Sequence, residues 1–315
     1  MPARLRLISW NLHGPPFAER RSERMRAATA EMIRRAPDVA LLQEIWFRGD
    51  AARLIDQFGS GYDPVDVPDG ALLGRKGGLL AFLRKSSPWS LASEDRVARF
   101  EEFTAEASPL IFWQGDGLGD KGIQVLELRH AASGQGLFVL NTHLQAQYRG
   151  YPYEKIRRAQ ISQLNAVASG LDHGVPVLAA GDLNTLPQEA ALYARLTSVW
   201  HDLTAEVRQQ CSCGTNVPAA TGGTEKWIDY VLARRNVSWT FSAHARLIRN
   251  AATDDPFSDH QGLDASIEMG NTASGSLGTR ALAALVLRGP SSRRAWLAAG
   301  AALLLDALAT RRRSA

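Results

Sequence analysis

Residues 175–184 read VPVLAAGDLN. An apolar run, Val175–Ala180, meets a glycine and then delivers Asp182 and Asn184. A short run with no polar face describes a strand buried on both sides. Working outward, the same arrangement recurs along the chain. The strand predicted over Arg4–Asn11 ends in Asn11. Asp38–Ile45, started by Pro37, carries Glu44 near its end. Leu137–Thr142 is followed by His143, and Trp227–Ala233 contains Asp229. Asp259 and His260 directly precede the strand predicted over Gly262–Ile267. Gly78–Leu83, Gly122–Arg129 and Ser238–Ala243 are further strands, and the turn Gly134–Gly136 makes a hairpin of two of them. Helical patterns cover Glu19–Ala36 and Glu154–Leu171, the second with Ile156, Ala159, Leu164, Val167 and Leu171 near one face. Many strands, several hairpin-linked, with few helices and no fixed repeat, exclude a purely parallel sheet. The predicted architecture is α/β (α+β), two packed mixed sheets with helices outside.

The chain has 315 residues and a formal net charge of +4. That charge is unevenly placed. Residues 271–315 hold seven Arg and one acid, whereas residues 1–270 hold 29 basic and 31 acidic residues, a net of −2. The body is therefore not a basic nucleic-acid binder by composition. The division predicted is a catalytic body over 1–270 and a tail over 271–315, opened by the small, polar stretch NTASGSLG. The tail's apolar run Ala295–Ala309 has 15 residues. As a helix it spans about 22 Å, short of a hydrocarbon core of about 30 Å. Flanked by arginines, it reads as an interfacial helix, or else as a tail that docks on its own body or stays disordered. Cys211 and Cys213, too close for an easy disulfide and too few for a zinc site, read as two thiols. The strand-like opening and the charged tail set the location expected: cytoplasmic, peripheral to a membrane.

Taken singly, each polar residue has an ordinary explanation. A Glu ending a strand is usually solvated, and an Asp-x-Asn after Gly is usually a turn. Strands that deliver carboxylates, amides and imidazoles at one end gather them on one rim. The segments WNLHG (10–14), LLQEIW (41–46), NTHL (141–144), GDLN (181–184), WIDYV (227–231) and SDH (258–260) occur in the order of the motifs of the endonuclease/exonuclease/phosphatase superfamily, which the chain resembles over residues 4–268. The resemblance implies a four-layer αββα sandwich and a metal-dependent phosphodiesterase.

Phosphodiester cleavage needs charge neutralisation on the phosphate, a deprotonated water and a stabilised leaving oxygen. The resemblance implies Glu44 as principal ligand of Mg2+, with Mn2+ as the alternative ion, and Asn11 in the same shell. Asp259 is assigned to the metal too, through water or a second ion. His260 is the candidate general base, held by Asp229. Asp182 is the alternative base, or orients the same water. His143 and Asn184 are assigned to the phosphate oxygens.

Finer likenesses point to the neutral sphingomyelinase-like branch. They are WNLHGPPFAERRSERM, the Trp after the acid in LLQEIW, NTHLQAQY, Arg158–Gln160, GTNVP (214–218), and DGLGDKG with Asp116 five before Lys121. The last resembles that branch's switch element, in which the two side chains bridge near the active site. This reading expects a phospholipid substrate at a membrane surface and release of a phosphorylated headgroup. The alternatives are a DNA or RNA nuclease of the same superfamily, an inositol-phosphate phosphatase, and a non-catalytic scaffold.

Overall fold

The alternation at the start of the chain forms β1 (Ala3–Asn11), and its two faces go to different places. Leu5 and Leu7 join the core between two sheets, whereas Ile8 and Trp10 pack with helices. A pleated strand covered on both faces behaves this way. The structure, a computed structural model, describes residues 3–68, 74–93, 97–106, 119–148, 151–211, 213–216, 225–236, 238–248 and 257–271. The chain divides into compact units Met1–Gly270 and Asn271–Ala315. The apolar runs and arginines of the tail lie outside the described residues.

After β1 come α1 (Arg21–Arg35), β2 (Val39–Gln43), α2 (Arg48–Phe58), β3 (Tyr62–Val65), β4 (Leu80–Arg84), β5 (Trp89–Leu91) and β6 (Arg99–Glu102). Then follow β7 (Gly122–His130), β8 (Gly136–His143), α3 (Tyr153–Gly170), β9 (Val177–Asp182), α4 (Ala190–Thr197) and β10 (Trp200–Asp202). The chain continues through α5 (Ala205–Gln210), β11 (Asp229–Arg234), β12 (Trp239–Ile248) and β13 (Gly262–Asn271). One sheet has the order β12-β13-β1-β2-β4-β3, the other β10-β11-β9-β8-β7-β5, with β6 also paired to β7. β1 and β2 run parallel, as do β8 and β9; β1–β13, β2–β4, β7–β8 and β9–β11 are antiparallel. The fold is thus two packed mixed sheets flanked by helices.

Leu5, Leu7, Val39, Leu41, Ala81, Leu83, Leu263 and Ile267 of the first sheet share one core with the apolar residues of the second. The outer face of the first sheet, Ile8, Trp10, Ala40, Leu42, Leu80 and Phe82, packs with Met25, Ala28 and Met32 of α1 and Ala51, Leu54 and Phe58 of α2. The reading of Cys211 and Cys213 as free thiols is corrected. They form a disulfide, with Cα atoms 5.2 Å apart. The backbone brings the pair within ordinary disulfide reach, so the spacing did not exclude closure.

One carboxyl of the body makes stability depend on pH. Glu106, beyond β6, is more than half buried, and burial raises its carboxyl from the ordinary 4.5 to about 7, against the pull of the Lys121 backbone N–H. The folded chain therefore holds a proton that the unfolded chain has released over that interval. This contribution is complete below pH 4.5 and is lost as pH rises through about 7. Glu106→Gln is accordingly expected to raise the Tm relative to the parent at pH 8 and to leave it little changed at pH 5. Thermal unfolding at the two pH values checks this. An equal shift at both would show that the charge is not responsible.

Candidate active site

Toward one end of the sandwich the layer between the sheets changes from apolar to polar. On β1 the inward positions run Leu5, Leu7, Ser9, Asn11, and on β2 Val39, Leu41, Gln43. Gln43 Nε2 donates to Ser9 Oγ at 3.2 Å and, across the layer, to Asn141 Oδ1 at 2.8 Å. Asn141 Nδ2 donates to Gln124 Oε1 at 3.0 Å. All four side chains are buried, and each amide finds a partner through at least one of its atoms, though Gln43 Oε1 has none among the described residues. Positions two apart on a strand share a face, so the next rung is Asn11 on β1 and His143 on β8. The register sets His143 beside Asp182 and Asp182 beside Asp229 across β8, β9 and β11.

Asn11 joins the two sheets at this rung. Its Nδ2 donates to Glu44 Oε1 at 2.9 Å and to Asp182 Oδ2 at 3.0 Å. Glu44 follows β2 in a left-handed conformation, φ 63°, and two other pocket residues share that feature, His13 at φ 49° and Asn184 at φ 45°. For residues other than Gly such backbone costs on the order of 1–3 kcal/mol, and it tends to collect at functional sites. Gly14 lets the loop come close: a Cβ there would lie 1.9 Å from the Glu44 carbonyl oxygen. Its N–H donates to Glu44 Oε2 at 3.1 Å. Asp182 Oδ1 accepts the Asn184 N–H at 2.9 Å, the turn expected of Asp-x-Asn.

His260 arrives from the other end of the sequence. Its backbone is fixed by Trp10 Nε1, which donates to its carbonyl at 2.9 Å, and by Ser258 Oγ, which accepts its N–H at 3.1 Å and donates to the Asn11 carbonyl at 2.7 Å. The ring Nδ1 is 2.8 Å from Asp229 Oδ2, and Nε2 is 3.6 Å from Asp182 Oδ2. Asp229 is itself held through its backbone N–H, which donates to Thr215 Oγ1 at 3.0 Å. On the other side of Asp182, His143 Nε2 lies 3.5 Å from Asp182 Oδ2 and 3.2 Å from Lys121 Nζ. Lys121 is buried and donates to the Leu144 carbonyl at 2.8 Å.

The structure therefore brings together nine of the sequence-predicted residues. Glu44, His143, Asp182, Asn184, Asp259 and His260 line one cleft of about 410 Å³. Asn11 and Asp229 touch it from behind, and Lys121 backs His143. Asp116 lies outside the described residues. Sequence reasoning missed His13, whose Nδ1 sits 3.2 Å from Asp259 Oδ2, and the buried Arg157. Arg157 donates to Gln147 Oε1 at 3.0 Å and pairs with Glu189, tying together two cleft loops. Its signal was a charged residue inside the apolar stripe of α3, next to Ile161 and Leu164.

Burial and its charged neighbours govern protonation here. Burial lowers the His143 ring well below its ordinary value, and Lys121 and His260 add to this, so His143 is neutral. Burial also works to lower His260, but Asp229, Asp182 and Asp259 outweigh it, and its proton affinity is raised well above the ordinary value. Burial, then Asp229, raises Asp182. These groups titrate as one unit.

Asp182, Asp229 and His260 place ligand atoms within 4.8 Å of one another, the spacing of a metal site. His260 Nδ1 is already engaged with Asp229, and a ring whose proton affinity is raised yields its remaining lone pair to a cation less readily. Glu44 is the better anchor. It faces the cleft, its oxygens take, among the described residues, the Asn11 and Gly14 N–H donors, and its neighbours Asp182 and Asp259 bring further negative charge. A hard divalent cation with oxygen ligands fits that set. Asn11 turns its amino group toward Glu44. Rotation of the amide would present its oxygen at the same place.

Known proteins carry the same framework. The chain is 29% identical over 189 residues to inositol phosphosphingolipids phospholipase C of Schizosaccharomyces pombe, a match over 58% of this chain and 42% of that protein. It spans less than half of that relative's length. D. rerio TDP2 complexed with single strand DNA product superposes with a TM-score of 0.66 at 19% identity, over 84% of this chain and 99% of that one. An endonuclease/exonuclease/phosphatase from Bacteroides vulgatus does so with 0.63 at 16%, over 85% and 100%. At these identities the two structures speak for the fold alone. The family itself is shown by a sequence match to its model that spans residues 8–260, a range that takes in every motif from Trp10 to the imidazole beside Asp229: this chain belongs to the Endonuclease/Exonuclease/phosphatase family, whose members are hydrolases.

Proposed function

We propose that the protein is a divalent-metal-dependent phosphodiesterase that cleaves a phospholipid on the phosphate side of its alcohol, releasing a phosphorylated headgroup. The observation that carries the catalytic part is the buried relay Asp229–His260, with His260 Nδ1 2.8 Å from Asp229 Oδ2 and its Nε2 turned toward Asp182 in the cleft that Glu44 lines. A cation bound at Glu44, with Asn11 and Asp259 beside it, supplies charge neutralisation on the phosphate.

The chain's own groups do the rest. In its neutral form His260 takes a proton from water at Nε2, while Asp229 fixes the tautomer and stabilises the imidazolium that forms. Asp182 orients that water from the opposite side. The water oxygen bonds to phosphorus, the bond from phosphorus to the alcohol oxygen breaks, the leaving alkoxide takes a proton from solvent, and the imidazolium gives its own back to solvent. Asn184 at the cleft wall donates to the phosphate oxygens as their charge builds. So does the neutral His143.

Two observations favour lipid over nucleic acid. The relative that aligns in sequence is a phosphosphingolipid phospholipase C. The cleft is also not basic, since Glu44, Asp182, Glu189 and Asp259 stand against Arg157 and Lys226. A strand of nucleic acid asks for a positive groove. The test is a parallel incubation of the protein and Mg2+ with sphingomyelin, inositol phosphosphingolipid, inositol phosphates and single-stranded DNA. Release of a phosphorylated headgroup that EDTA abolishes is the expected result. Cleavage of DNA alone overturns the lipid assignment and keeps the phosphodiesterase.

A further inference from the structure

Folded proteins tolerate scattered apolar side chains in water, but exposed apolar runs beside a functional cleft mark a surface made for an apolar partner. Among the described residues the exposed large hydrophobics are Phe17, Val97 and Tyr151. Two of these three flank the mouth of the cleft. Phe17, 84% exposed, directly follows Pro15 and Pro16, which line one bank. It belongs to an uncharged run, Gly14–Ala18, in which Pro16 is exposed as well. Tyr151 stands by a second bank, that of the lining residues Gln147 and Tyr148. Gln147 Nε2 donates to its carbonyl at 3.2 Å, and its ring stacks on Tyr153 with centroids 5.5 Å apart. Pro152 next to it is exposed. Each bank thus presents a proline and an aromatic ring to solvent.

Charge follows the same pattern. Residues 17–26 hold four arginines and two acids, a net of +2; on the other bank Arg157 is buried against Glu189, and Lys155 and Arg158 stand exposed with Glu154, a net of +1, on a body whose net charge is −2. Aromatic rings with basic residues behind them suit a bilayer surface that contains anionic lipid.

We propose that Pro16–Phe17 and Tyr151–Pro152 form a lip that enters the headgroup layer of a phospholipid bilayer and seats the cleft mouth on it. This rests on the lipid reading above. It places membrane contact on the body, next to the chemistry, rather than in the tail alone.

The experiment uses the full chain and the variants Phe17→Ser, Tyr151→Ser and the double variant. Binding to vesicles of sphingomyelin, phosphatidylcholine and phosphatidylserine is measured by co-sedimentation in EDTA, where no turnover occurs. Hydrolysis of the water-soluble diester bis(4-nitrophenyl) phosphate is measured with Mg2+. The double variant is expected to bind vesicles at least about tenfold more weakly, the loss of one to two buried rings, with unchanged Tm and unchanged hydrolysis of the soluble diester. Parent-like vesicle binding by a folded double variant overturns the lip. So does an equal loss on vesicles and soluble diester, which would make these residues part of the cleft's structure. A parent protein that binds vesicles through the lip but cleaves no lipid keeps the lip and removes the substrate assignment.

Discussion

His260→Ala is expected to lower kcat by roughly 10²–10⁴-fold, the usual contribution of a positioned acid–base group, and to leave the fold intact. The reason lies in how the residue is held. Its backbone, not its ring, takes the Trp10 Nε1 and Ser258 Oγ hydrogen bonds, so alanine keeps both. The ring's one close partner is Asp229, at 2.8 Å. Removing the ring leaves that buried carboxylate without its partner, and small hydrogen-bonding molecules such as water fill part of the space. Asp229→Asn should reproduce much of the loss, because an amide neither fixes the same tautomer nor stabilises imidazolium. Steady-state rates on the cleaved substrate, with the Tm and circular dichroism of each variant, decide the matter. A folded His260→Ala protein at near-parent rate would end the assignment of His260 as base.

Glu44→Gln is expected to lower kcat by about 10²–10³-fold at fixed Mg2+ and to raise the Mg2+ concentration for half-maximal rate at least about tenfold. A cation supplies several kcal/mol of charge stabilisation to a phosphoryl transition state, and each 1.36 kcal/mol is a factor of ten. Glutamine preserves size; its oxygen can accept the Gly14 N–H, and its amino group can donate to Asn11 Oδ1 once that amide is turned, so the loop at φ 63° keeps its shape. What disappears is the formal charge. Rate against Mg2+ concentration and the calorimetric heat of Mg2+ binding measure the two parts separately. Unchanged Mg2+ dependence would move the cation away from Glu44, toward the Asp182–Asp229–His260 cluster.

The strands that carry the site were legible because each is long and apolar. Val177–Asp182, Gly136–His143 and Asp229–Arg234 lie within about two residues of where their patterns put them. The shorter elements were not. β10 has three residues and β5 three, too few for a period to show. The helix α2 was passed over because RGDAARLIDQF follows the LLQEIW motif so closely that it reads as loop. The site residues were found as strand-end polar groups in motif order. Their mutual contacts were not, because sequence order says nothing of register. That Asn11 bonds both Glu44 and Asp182 follows from two sheets facing each other, and the Gln43–Asn141–Gln124 ladder follows from the same packing. Arg157 escaped because its partners, Gln147 and Glu189, come from loops whose shape only the fold defines.

The hydrogen bond from Ser258 to the Asn11 carbonyl joins residues 247 apart. Contacts this remote in sequence are slow to form, since the intervening chain must first be ordered. A ribosome-bound chain that has not yet released residues 258–271 would have its amino-terminal strand unpaired on one side and an incomplete proton relay. Hydrolytic power would then arrive only once residues 258–271 have emerged and paired with the amino-terminal strand.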